Sequence, residues 1–170
     1  KKMSVDNNFT VEEISAQEID DINVSSTRIR KALESGDIKK ANSFLGYSYF
    51  ITGRVEKGKQ LGREIGYPTA NIGNLDEFKL IPTNGIYAVL VDVKGEIFRG
   101  MMSIGKNPTT DNDDKIKLEV NIFDFNEEIY GSNIKIYFID YIRHETKFAG
   151  LEELKLALAE DKKFTLNILK

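Results

Sequence analysis

Hydrophobic positions recur along this 170-residue chain with two different periods. From Ser25 to Gly46 they follow the three-to-four spacing of helices. Ile29, Ala32 and Leu33 share one face behind the competent N-caps Ser25 and Ser26, and Gly36 ends that segment. Asp37 opens a second helix through Ala41, Phe44 and Leu45, which closes at Gly46. From Tyr49 the period drops to two. Tyr49 to Val55, Ile86 to Val93, Glu96 to Ile104, Ile116 to Phe123 and Asn133 to Ile142 read as strands, with turn signals at Asn84-Gly85 and Lys94-Gly95. The cleanest alternation sets Ile116, Leu118, Val120 and Ile122 on one face and Lys117, Glu119 and Asn121 on the other. A helical period returns from Leu151 to Lys162, with Leu151, Leu154, Leu158 and Asp161 along one side. Residues 1–24 are acidic and polar around a strand-like Phe9-Thr10-Val11, and residues 107–115 form a polar loop.

Consecutive strands joined by turns, followed by a helix, imply an antiparallel barrel with the helix on its outside or across its mouth. The expected fold is mainly β: a six-stranded, Greek-key-like antiparallel barrel with short N-terminal helices and a C-terminal helix. No β-α-β alternation argues for a doubly wound sheet, and no internal repeat is visible.

Composition narrows the function classes. A content of 41% hydrophobic and 30% charged residues is that of an ordinary soluble globular domain. A net charge of −3 argues against a nucleic-acid binder driven by bulk electrostatics, so any anion site is local. Without cysteine there is neither a disulfide framework nor a thiolate metal site, and the single His144 excludes multi-histidine zinc chemistry. No apolar run approaches the ~20 residues of a membrane span, and no secretory signal is visible. A reducing, cytoplasmic setting is the simplest expectation.

The most informative stretch runs from Gly58 to Asn71. Gly58, Gly62 and Gly66 recur at four-residue spacing with Lys59 and Arg63 among them, just before Pro68-Thr69-Ala70-Asn71. Glycines let backbone N–H groups face an anion, and Thr and Asn offer hard oxygen ligands suited to Mg²⁺. The P-loop pattern and the dinucleotide fingerprint are both absent. On the glycines alone, a turn-rich linker between strands is an equal reading. Thr69 and Asn71 taken alone are better read as an Asx- or ST-type turn. The whole string, however, resembles the ATP-binding signature of riboflavin kinases, Gly-x-x-x-Gly-Arg-x-x-Gly-x-Pro-Thr-Ala-Asn, and fills every fixed position of it.

That resemblance implies ATP contacts from Gly58, Gly62, Arg63, Gly66, Pro68 and Thr69, and Mg²⁺ held by Thr69 and Asn71. It extends through Glu119-Val120-Asn121-Ile122-Phe123-Asp124-Phe125, the place of the family's catalytic base, and Ile129-Tyr130-Gly131. A strand glutamate most often faces solvent. On a polar face lining a barrel mouth, a carboxylate could instead take the proton of a substrate hydroxyl. Asn107-Pro108-Thr109 and Ile142-Arg143-His144-Glu145-Thr146-Lys147-Phe148 resemble two further family segments, implying flavin or phosphate contacts from Asn107 and Arg143. Glu145 and Lys147 read as a surface pair, and His144 as exposed. Departures are Asn121 for a frequent histidine, Ile129 for leucine, and Ala149-Gly150 for a more usual Asp-Ser before the helix.

Ser25-Ser26-Thr27-Arg28-Ile29-Arg30 resembles the motif that closes the adenylyltransferase domain of bacterial bifunctional FAD synthetases. Hydroxyls at a helix start with Arg28 and Arg30 would suit a triphosphate. The His-x-Gly-His element of that domain is missing, so residues 1–45 are expected to be its remnant and 46–170 the kinase domain. The implied reaction is ATP + riboflavin → ADP + FMN, with no FAD synthesis by this chain alone. The partners are small molecules rather than nucleic acid or membrane. The competing expectation is a non-catalytic flavin- or nucleotide-binding barrel, and behind it an interaction-only domain.

Overall fold

Six strands that alternate apolar and polar residues bury their apolar sets by closing on themselves. The computed structural model describes residues 18–19, 22–58, 61–106 and 116–170. The chain orders as β1 (Glu18–Ile19), β2 (Ile22–Asn23), α1 (Ser26–Glu34), α2 (Ile38–Leu45), β3 (Phe50–Glu56), α3 (Leu61–Glu64), β4 (Ala70–Gly73), β5 (Gly85–Val93), β6 (Glu96–Lys106), β7 (Ile116–Ile122), β8 (Asn133–Arg143) and α4 (Leu151–Ile168). The β1–β2 ladder is a separate short pair, while β3-β4-β7-β6-β5-β8 form a closed barrel in which every pairing is antiparallel. Phe9-Thr10-Val11, Lys59 and the loop carrying Asn107 lie outside the described residues.

The barrel interior is filled by alternate residues of the wall: Ile51 and Val55, Ile72, Tyr87, Val89 and Val91, Met102 and Ile104, Leu118 and Val120, and Ile134, Ile136 and Phe138, all buried. Tyr87 and Phe138 meet edge to face at 5.2 Å. The sixth strand is the one that periodicity does not locate. It is β4, four residues long, wedged between β3 and β7.

The two N-terminal helices dock on this barrel and share its core through Ala32, Leu33, Ile38 and Ala41. Ser25 caps α1 by accepting from Arg28 N at 3.4 Å, and Asp37 caps α2 by accepting from Lys40 N at 3.2 Å. Asn42 ties α2 down from both ends of its amide. Its Nδ2 donates to Phe138 O at 2.9 Å, and its Oδ1 accepts from Tyr49 N at 2.7 Å.

Tyr49 donates its hydroxyl to Leu80 O at 2.6 Å, and burial pushes its pKa from 10.0 up to about 12. The folded state therefore holds this proton more tightly than the unfolded chain does. That contribution is complete below pH 10 and is lost as pH rises through about 12, amounting to about 2–3 kcal/mol. Urea unfolding at a series of pH values should show this alkaline loss, and Tyr49→Phe should make it shallower.

α4 extends to Ile168, beyond the expected end at Lys162. Its inner face continues through Asp161 and Thr165, both buried. It packs across β6, β5 and β8 on the outside of the barrel. Gly150 provides no side-chain cap, and Glu153 accepts from Ala149 N, one residue ahead of the cap, at 2.9 Å.

Candidate active site

The glycine stretch folds into a one-turn helix with a specific stop. Gly66 adopts φ 84°, its N–H bonds to Arg63 O at 3.3 Å, and Tyr67 N bonds to Gly62 O at 2.8 Å. This 6→1 and 5→2 pair is a Schellman ending, which requires glycine at the left-handed position. Gly62 is needed for closeness, since a Cβ there would lie 2.3 Å from Tyr67 O. Gly62 and Gly66 thus shape the turn that delivers Pro68 and Thr69 to the wall. Asn121 holds the same corner from β7: its Nδ2 donates to Pro68 O at 2.6 Å, and its side chain is buried. Alternation places this buried amide beside Glu119 but does not identify it as an anchor.

Two cavities flank that corner. The larger, about 500 Å³, lies on the outer wall of the barrel beneath α4. Its apolar side comprises Ile86, Met101, Phe148, Leu154 and Leu158, while Ser103, Lys117, Glu119, Asn121, Arg143 and Glu145 bring polar groups. The smaller, about 330 Å³, is bounded by Arg63, Pro68, Thr69 and Ala70 and by the turn from Phe125 to Tyr130. Thr69 lines both.

Glu119 therefore faces the outer wall under α4 rather than the barrel mouth. In a closed barrel the Leu118/Val120/Ile122 set fills the interior, which leaves the polar set outside. Its Oε1 lies 2.7 Å from Lys117 Nζ, and it stands opposite Asn71 on β4 and Ser103 on β6. Half-exposed, this ion pair adds little stability.

Asn71 lines neither cavity, but its amide lies over Gly58, where an added Cβ would sit 1.9 Å from Nδ2. Gly58 and Gly66 line neither cavity.

Arg143 lines the larger cavity, yet its fork is engaged. Nε and Nη2 donate to Asp161 at 2.8 and 2.7 Å, and Nη1 donates to His144 O at 3.0 Å. Glu145 does not form the expected surface pair with Lys147. Though exposed, it lines the larger cavity together with Ser103. Partial burial raises its pKa above the usual carboxylate value, Ser103 and Arg143 oppose the rise, and Glu119 adds to it. His144 is exposed, and its Nδ1 lies 2.7 Å from the Tyr141 hydroxyl. Ser25, Ser26, Thr27, Arg28 and Arg30 sit exposed at the start of α1 and line neither cavity.

No group of three or more His, Asp or Glu side chains is arranged to hold a metal among the described residues. The neutral oxygens of Thr69 and Asn71 supply no charge, so they fit a cation whose charge is balanced by phosphate, the way Mg²⁺ accompanies a nucleotide.

Comparison with known proteins agrees with this architecture. The family model described as Flavokinase: Riboflavin kinase matches residues 45–169. The bifunctional riboflavin kinase/FMN adenylyltransferase of Bacillus subtilis is 45% identical over 144 residues, covering 84% of this chain but 45% of its own length. The chain thus spans about half the length of the curated relatives it matches. A crystal structure described as a macrolide-efflux protein from Streptococcus pneumoniae superposes with a TM-score of 0.84 at 40% identity, over 91% of this chain and 50% of that one. The riboflavin kinase of Trypanosoma brucei is 26% identical with a TM-score of 0.50, over 71% and 78% of the two chains. Among the described residues, no helix is long and apolar enough to cross a membrane. With the family model spanning the whole barrel and α4, the chain belongs to the riboflavin kinase family.

Proposed function

We propose that this domain transfers the γ-phosphoryl group of ATP to the 5′-hydroxyl of riboflavin, giving FMN and ADP. The observation that carries the proposal is Thr69, the one residue common to the two cavities described. A donor in the smaller cavity and an acceptor in the larger would meet at its side chain. The apolar side of the larger cavity, Met101, Phe148 and Leu158 among it, suits an isoalloxazine ring. The polar side then receives the ribityl chain at Glu119.

Glu119 takes the proton of the 5′-hydroxyl as the oxygen–phosphorus bond forms and the bond to the β-phosphate oxygen breaks, leaving ADP. Arg63, on the wall of the smaller cavity, faces the polyphosphate and offsets its charge. Thr69 and Asn71 would hold Mg²⁺, which supplies charge neutralisation for the transferring group. Asn121 keeps Thr69 at the junction through Pro68. Residues 46–170 form the kinase domain, and residues 1–45 correspond to the end of an adenylyltransferase domain.

Thr69→Ala and Asn71→Ala test the nucleotide half. Each should weaken Mg²⁺-dependent ATP turnover by more than about 10-fold while circular dichroism shows an intact barrel. Unchanged Mg²⁺ dependence in both variants would remove the metal from these residues.

A further inference from the structure

Glu145 carries a feature that the phosphoryl-transfer scheme leaves unused. Its carboxylate rests against Gly105, where a Cβ would lie 1.9 Å from Oε1. Ser103 lines the same cavity, and it is the β6 residue directly opposite Glu119 in the ladder with β7. Partners opposite each other on one face hold their Cβ atoms about 5 Å apart. Glu119, Ser103 and Glu145 therefore line up along one wall of the larger cavity.

Their hydrogen-bonding capacity does not balance. An ionised carboxylate has about four acceptor sites, whereas the Ser103 hydroxyl beside it has one proton to give. Arg143, the nearby cation, has its Nε and Nη2 committed to Asp161. Lys117 is paired with Glu119. Exposed at the rim of the cavity, Glu145 is thus a second carboxylate beside the one assigned to the reacting hydroxyl, with acceptor sites open to solvent and to the hydroxyls of a bound ligand. A ribityl chain has them: a row of hydroxyls precedes the terminal one.

We propose that Glu145 accepts a hydrogen bond from an interior ribityl hydroxyl and so selects flavins bearing a polyol chain over flavins bearing a plain alkyl alcohol. The inference rests on the kinase reading above. It makes Glu145 a specificity residue for the acceptor, distinct from the base.

The test compares riboflavin with a flavin of the same ring whose chain is ω-hydroxypentyl, which keeps the terminal hydroxyl and lacks the interior ones. The wild-type chain should favour riboflavin in kcat/KM, and Glu145→Ala should shrink that ratio by about 10-fold or more, mainly by losing riboflavin turnover. Glu145→Gln, which preserves the shape beside Gly105, should shrink it less and serves if the alanine variant does not fold. Equal loss on both flavins, or an unchanged ratio, would overturn the proposal, because a residue that merely anchors the segment after β8 affects both alike. A wild-type chain that phosphorylates neither flavin would instead overturn the kinase reading itself.

Discussion

Glu119→Gln should convert riboflavin to FMN about 10²–10⁴ times more slowly than the wild type while still binding riboflavin and ATP. The amide preserves the side-chain shape on β7 and can still accept a hydrogen bond, but it cannot take up the hydroxyl proton. Its position in the ladder, with Asn71 on one side and Ser103 on the other, is set by backbone pairing and survives the change. The Lys117 partner loses an exposed ion pair of small energetic consequence. The loss should therefore appear in kcat, with KM for riboflavin nearly constant. Flavin fluorescence titration separates binding from turnover, and near-normal turnover in the variant would remove Glu119 as the base.

Asp161→Ala should be the most destabilising of the substitutions near the site. Asp161 is a buried carboxylate holding both arms of the Arg143 fork, and it joins the end of β8 to the middle of α4. Removing it leaves a half-buried guanidinium with one remaining hydrogen bond, to His144 O, and the Phe148 ring 5.7 Å away. Breaking such a pair from one side costs about 2–3 kcal/mol when the orphaned partner retains partial access to water. In a chain of this size each kcal/mol lowers the melting temperature by about 2–4 °C. Because α4 roofs the larger cavity, flavin affinity should fall with it. Asp161→Asn, which preserves one acceptor oxygen, should lose less of both. Thermal unfolding alongside flavin titration would check the pair.

Much of this architecture is legible in the residues. Five strands show in their period-two pattern, and the β7 alternation already separates Lys117, Glu119 and Asn121 from the core set. β4 is not legible, because four residues behind Pro68, ending in a glycine, are too few to display a period. The extension of α4 is hidden for a different reason: its buried stripe continues through Asp161 and Thr165, polar side chains that do not register as apolar repeats. Alternation also separates two faces without saying which becomes the outside of a closed barrel, hence the reversal from barrel mouth to outer wall for Glu119. The place of Glu145 is not legible either, since closeness to Lys147 suggests a surface pair, whereas Ser103, which lines the same cavity, lies 42 positions earlier on β6.

The central claim is that a nucleotide site and a flavin site meet at Thr69 and work together on this chain. Incubating the purified chain with riboflavin, ATP and Mg²⁺, then resolving flavins and nucleotides by chromatography, tests it directly. FMN and ADP should appear in equal amounts, and neither should form without Mg²⁺. Riboflavin binding with no ADP and no FMN would contradict the account and make the barrel a flavin-binding module rather than a kinase.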